Sequence, residues 1–134
     1  MLNIGITSRS YSGLTICDTA LDMADKGFKC TELCFTHPEL PGWTYNGIGS
    51  LEGITPKKVR EMADEFRHRG VDVTSLGMFT DLRSPDKTAR DAAVEYTRRY
   101  VEFAAEAGIP YIASECGFTP GHRGLSGHLR ERLY

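Results

Sequence analysis

Three glycines set the pattern of this chain. Gly27, Gly70 and Gly108 each follow an amphipathic stretch and each precede a short apolar run, at spacings of 43 and 38 residues. A glycine just past the last periodic residue ends a helix in the left-handed conformation. The apolar runs that begin at once are Phe28 to Phe35, Val71 to Phe79 and Ile109 to Glu115, and Leu2 to Ile6 precedes them. Runs of this length bounded by turn residues read as buried strands. The order is therefore β-α-β-α-β-α-β. Helix-to-strand turns are short, whereas strand-to-helix loops are long and polar. Such alternation forms a parallel sheet, with right-handed crossovers. Its ligand side is the C-terminal end of the strands, which here carries the long loops.

The helix starts agree with this order. Thr15 is placed to cap a helix, with Asp18 at its third position. Ile16, Ala20, Met23 and Ala24 then share a face. Thr55-Pro56 and Ser84-Pro85 are both cap-plus-proline starts. Val59, Met62, Ala63 and Phe66 line the second helix, and Ala89, Ala93, Tyr96, Tyr100, Phe103 and Ala107 line the third. All 134 residues read as a single domain. A (β/α)8 barrel takes roughly 250 residues, so four units make about half of one. The expected fold class is α/β, with a parallel β-sheet of β-α repeats. Two architectures fit it: an open doubly wound sheet and a half TIM barrel.

Composition narrows the function. Sixteen Lys and Arg stand against 18 Asp and Glu, a net charge of −2. That balance disfavours a nucleic-acid partner, which needs a basic surface. No apolar run approaches the roughly 20 residues needed to span a bilayer, and the first residues do not form a signal peptide. Cys30 and Cys34 are four residues apart on a strand, about 13 Å, too far for a disulfide. With Cys17 and Cys116 they are expected to be free, mostly buried thiols of a reducing compartment. The cytoplasm is the expected location. Gly47 to Gly53 lacks the dinucleotide fingerprint, and the chain has no phosphate loop or nucleophile elbow.

A few residues stand where chemistry is done. If Leu33 and Phe35 face the helices, Glu32 points to the opposite face of the sheet. A charge there is costly unless paired or functional; the competing reading is a structural carboxylate. Glu115 ends the fourth strand, where it could accept sugar hydroxyls or help hold a hard cation such as Mg²⁺ or Mn²⁺. His37, Trp43 and Tyr45 lie in the loop after the second strand. An aromatic beside a polar pocket packs against the apolar face of a sugar ring. Arg9 and Ser8, after the first strand, are placed to meet a phosphate or sugar oxygen. His68 and the Arg98-Arg99 pair read as surface, and His122 and His128 as ordinary tail residues.

Several segments together resemble one family. Thr31-Glu32-Leu33-Cys34-Phe35 resembles the second strand of the xylose isomerase-like sugar isomerase/epimerase barrels. Ile54-Thr55-Pro56 through Arg67-His68-Arg69-Gly70-Val71-Asp72-Val73 is similar to their second helix and third strand. Phe103 to Ile112 is similar to their third helix and fourth strand, and the Met-Leu-Asn-Ile-Gly-Ile start matches as well.

The resemblance implies the N-terminal half of a (β/α)8 barrel acting on a sugar or sugar phosphate by metal-assisted proton transfer next to a carbonyl. For that chemistry the residues already singled out by position are the candidates: Glu32 and Glu115 as the catalytic pair, and His37, Trp43 and Arg9 as substrate contacts, against the competing reading of ordinary loop and structural residues. The resemblance also implies a divalent metal (Mn²⁺, Mg²⁺ or Zn²⁺), for which Glu115 is the candidate ligand by its place at a strand end, although the family's first metal glutamate sits one strand later. The family's usual metal ligands come from the fifth to eighth strands, which this sequence does not carry. The family's abasic-site endonuclease branch is the enzymatic alternative, and the net charge weighs against it. A half barrel leaves two strand edges unpaired. Either a longer chain or a homodimer completing the barrel is therefore expected; a non-catalytic half-barrel paired with a partner is the other alternative.

Overall fold

The computed structural model describes residues 3–45 and 47–115. Cys116, His122 and His128 lie outside the described residues. Four strands alternate with three α-helices: β1 (Gly5–Thr7), α1 (Ile16–Asp25), β2 (Cys30–Cys34), α2 (Pro56–Arg67), β3 (Asp72–Gly77), α3 (Lys87–Glu106) and β4 (Tyr111–Ala113). Every pairing is parallel, and the strand order is β1-β2-β3-β4. Sequential order in a parallel sheet is that of a barrel wall. The alternating β-α pattern and its parallel sheet are as the sequence predicts.

The three returns from helix to sheet are one motif repeated. Gly27, Gly70 and Gly108 have φ of 81°, 77° and 63°. The residue after each glycine donates its N–H to a carbonyl five residues back. Phe28 bonds Met23 at 3.0 Å, Val71 bonds Phe66 at 3.1 Å and Ile109 bonds Ala104 at 2.8 Å. This is the Schellman closure, and it satisfies carbonyls that the helix end would leave bare. The ladders are shorter than the apolar runs because Phe28, Val71 and Ile109 serve this return.

Two caps form as the sequence predicts. Thr15 accepts the Asp18 N–H at 3.1 Å, and Thr55 accepts the Lys58 N–H at 3.2 Å. The third helix starts later than Ser84-Pro85 predicts. Asp86 is its cap, with Oδ1 2.7 Å from the Ala89 nitrogen. The Ser84 carbonyl accepts from the Arg90 side chain at 2.8 Å, so Ser84-Pro85 lies before the helix rather than opening it. The polar stretch after β1 also differs from a plain loop: Ser8–Tyr11 forms a 3-10 turn capped by Thr7.

The helices bury their apolar stripes on one face of the sheet. Leu33, Val73 and Leu76 from the strands meet Ala20 and Met23 of α1, Val59 and Phe66 of α2, and Tyr100 and Phe103 of α3 in one core. Phe35 joins them, its ring centroid 5.1 Å from that of Tyr100. The other face carries Thr7, Glu32 and Ser75 in one row and Cys34, Gly77 and Ala113 in the next. A shift in register between Thr31 and Glu32 leaves Thr74 outside the pairing, and its hydroxyl donates to the Thr31 carbonyl at 3.3 Å.

The free cysteines are less buried than the sequence predicts. Cys17 is exposed, Cys30 half-buried and Cys34 buried. Cys17 sits on the solvent side of α1, where an Arg69 nitrogen lies 3.3 Å from its sulfur.

Gly70→Ala forces a Cβ into the left-handed region, so a loss of about 1–2 kcal/mol is expected. Urea unfolding followed by circular dichroism measures it. An unchanged midpoint would show that the return after α2 does not depend on its glycine.

Candidate functional site

Each strand ends at the same edge of the sheet, and each following loop contributes a side chain there. Arg9 follows β1, Trp43 and Tyr45 follow β2, Phe79 follows β3 and Glu115 follows β4. The rings form a cluster. Trp43 lies 5.9 Å from Tyr45 and 6.1 Å from Phe79, and Tyr45 lies 6.0 Å from Phe79, centroid to centroid. The Arg9 guanidinium carbon sits 4.8 Å from the Phe79 ring centre and 5.5 Å from that of Tyr45. Such cation–π contacts hold a flexible arginine in place. The Tyr45 hydroxyl donates to Glu115 Oε1 at 2.5 Å. That bond, with burial and the Glu115 charge, raises the Tyr45 phenol above its ordinary value, and Arg9 works against the rise. The hydroxyl therefore stays protonated and keeps donating.

Below this rim lies the polar face of the sheet. The Thr7 hydroxyl donates to Glu32 Oε1 at 2.9 Å, and the Cys34 thiol lies 3.6 Å from the same oxygen. Gly77 makes room for both. A Cβ there would stand 2.6 Å from the Cys34 sulfur and 3.0 Å from Glu32 Cδ. Leu33 and Phe35 face the core and Glu32 the other side, as strand alternation requires.

His37 occupies a different position. It is 2% exposed. Its Nδ1 lies 2.8 Å from the Leu14 carbonyl and its Nε2 lies 3.2 Å from the Ser8 hydroxyl. A carbonyl only accepts, so Nδ1 donates to Leu14, while Nε2 shares a hydrogen bond with the Ser8 hydroxyl, which also reaches the Cys34 carbonyl at 3.4 Å. Ser8 Oγ in turn accepts the Cys34 N–H at 2.9 Å. His37 thus ties the aromatic loop to the turn that holds Arg9. Glu39, two residues on, accepts the Ile16 N–H at 2.6 Å and pins the same loop to α1.

The structure therefore brings Arg9, Trp43 and Glu115 together at the rim, sets Glu32 beneath them and buries His37 behind. Phe79 reads in the sequence as the end of a strand. Its position two residues past β3 matches that of Arg9 after β1 and Glu115 after β4, and this was the available signal. Thr7, the partner of Glu32, reads only as a loop residue.

A metal needs several converging donors. Among the described residues, no three His, Cys, Asp or Glu side chains are grouped to hold one. Glu115 alone does not fit that demand. Among the described residues, no helix is long and apolar enough to cross a membrane.

A parallel β/α sheet with its side chains gathered at the C-terminal strand edge is the wall of a TIM-type barrel, the edge where such barrels place their sites. The sequence model of the xylose isomerase-like TIM barrel matches residues 21–133, and the chain belongs to that family. Solved structures agree in fold. A D-psicose 3-epimerase, determined in the presence of D-fructose, superposes with a TM-score of 0.62 at 14% identity, over 93% of this chain and 41% of its own. The probable 3-DHS dehydratase AsbF of Bacillus anthracis, involved in petrobactin synthesis, gives 0.59 at 12% identity, over 84% and 38%. A xylose isomerase-like TIM barrel/4-hydroxyphenylpyruvate dioxygenase fusion protein gives 0.58 at 18%, over 84% and 16%. The chain thus spans 38–41% of the length of the first two. No curated protein matches the sequence.

Burial pushes the Cys34 thiol up to about 12, and burial also raises the Tyr100 phenol. Both are neutral in the fold. Unfolded, they ionise near their ordinary values of 9.0 and 10.0. The unfolded chain loses these protons first, so stability falls as pH rises. The urea midpoint is expected to hold up to about pH 8 and to drop between about pH 9 and 11. Cys34→Ala removes part of that drop. A midpoint as steep in Cys34→Ala as in the parent would remove the thiol from this account.

Proposed function

We propose that this chain forms the ligand-binding wall of a sugar or sugar-phosphate isomerase or epimerase. One observation carries the reading: all four strand ends deliver a side chain to one cluster, with apolar rings beside carboxylates. Trp43, Tyr45 and Phe79 offer faces to the C–H side of a sugar ring. Glu115 and Glu32 accept hydroxyl hydrogens, and Arg9 takes a phosphate or ring oxygen. His37 positions the loop that carries the rings rather than touching ligand. In the catalytic form of the proposal, Glu32 and Glu115 take and return the proton on the carbon next to the carbonyl. The neutral Cys34 thiol and the Thr7 hydroxyl steady Glu32 for that task. The family metal enters only through Glu115 as one donor. One donor is not a site. The structural relatives share the fold at 12–14% identity.

Ketoses and their phosphates are expected to change Trp43 fluorescence saturably, and to turn over. Glu115→Gln loses the charge that binds hydroxyls and should weaken binding about tenfold. Glu32→Gln should lower turnover more than binding. Affinity and turnover that survive both substitutions would remove these two residues from the proposal.

The sheet edges favour a second, compatible reading, in which two copies pair to complete the barrel. β1 and β4 are edge strands running the same way, so β4 of one copy can pair in parallel with β1 of another. Ile4 and Tyr111 beside those edges are 61% and 70% exposed. Light scattering is then expected to give about twice 14.9 kDa. A monodisperse monomer would refute the pairing.

A further inference from the structure

We propose that Arg9 makes this wall selective for anionic sugars, anchoring an oxyanion at one end of the ligand while Glu115 and Glu32 meet its hydroxyls. The inference rests on the sugar-binding reading above and adds the class of substrate. Five other arginines, Arg60, Arg67, Arg69, Arg98 and Arg99, pair with Asp or Glu side chains. Among the described residues, no carboxylate forms an ion pair with Arg9. Its charge rests on the rings of Phe79 and Tyr45 instead. An N–H also meets the Tyr45 hydroxyl, which helps to hold that phenol's pKa down. A guanidinium has five donors in a planar fork, so this one contact leaves donors for an in-plane acceptor. Phosphate and carboxylate match that fork in two-point contact.

The neighbouring carboxylate does not compete for the position. Glu115 is engaged by the Tyr45 hydroxyl at 2.5 Å, while Arg9 lies against the Tyr45 ring. One tyrosine thus holds a cation at its face and an anion at its tip. A neutral sugar leaves the arginine without an oxyanion. A sugar phosphate or a sugar acid satisfies both ends. The half-buried setting of Arg9 strengthens the contact relative to open water.

Trp43 is the single tryptophan of the chain and packs within the cluster, so its emission reports the site directly. The full chain is titrated with D-fructose, D-fructose 6-phosphate, D-gluconate and inorganic phosphate, at low and high salt. D-fructose 6-phosphate or D-gluconate is expected to bind about tenfold tighter than D-fructose, as a charge-assisted bond provides. That ratio should shrink at high salt and fall to about one in Arg9→Gln. Arg9→Lys, which keeps the charge without the fork, should recover only part of it. A preference for the phosphate identifies a sugar phosphate, and a preference for gluconate identifies a sugar acid. No anion preference in the parent chain, or a preference that Arg9→Gln retains, overturns the proposal. Inorganic phosphate bound only when Arg9 is present, with no response to any sugar, would overturn the sugar reading and leave the anion site standing.

Discussion

Each helix hands the chain back to the sheet through one hydrogen bond from the residue after a left-handed glycine. The bonds from Phe28, Val71 and Ile109 fix where three strands begin. They leave almost no freedom at the N-terminal edge of the sheet. All variation in loop length is then displaced to the other edge. The segment between β2 and α2 runs from residue 35 to residue 55, and it can hold three anchors as well as two rim aromatics. Its register is set by Leu40, Ile54 and His37, all buried. Trp43 and Tyr45 follow from those anchors. A site assembled from four loops is as precise as the returns that align the four strands.

The sheet has two faces with opposite chemistry, and the period of a strand links them. Leu33 and Leu76 are wholly buried under the helices, so their neighbours Glu32, Ser75 and Gly77 must point the other way. A half-buried carboxylate is costly unless its oxygens find donors. Thr7 supplies one from the adjacent strand, and the Cys34 thiol lies near. That thiol is neutral because burial holds its proton on, so it adds no second negative charge beside Glu32. Gly77 completes the arrangement by having no side chain where Glu32 and Cys34 lie.

Much of this was legible because it depends on neighbours in sequence. Thr15 and Thr55 cap as their patterns predict, and the helix-ending glycines fall where periodicity stops. Asp86 was missed because two cap candidates flank Pro85, and the local sequence suits both. The role of His37 was not legible, since its partners Leu14 and Ser8 are more than 20 residues away. Phe79 was hidden for a related reason: an apolar residue at a strand end reads as core until the loop from residue 36 onward is seen to bring Trp43 and Tyr45 beside it. Glu32 and Glu115 were legible as positions, because alternation and strand ends are local properties. Their partners Thr7 and Tyr45 were not, since each pair joins different loops or strands.

The same geometry that assembles the rim leaves it one-sided. β1 and β4 end the sheet, and among the described residues no helix packs on the polar face between them. Water therefore reaches one side of Arg9 and Tyr45, neither of which is fully buried. In water a charge pair at contact is worth roughly 1 kcal/mol, and several times that at the effective dielectric of a protein surface. A ligand on this wall alone gains orientation from the rings and modest energy from the charges. Covering the wall would exclude that water and strengthen every polar contact on it without moving one of its side chains. Under the proposed function, binding strength at this rim is thus coupled to whatever lies against the edges of β1 and β4, whereas the arrangement of Arg9, Tyr45 and Glu115 proposed to select the ligand is already in place.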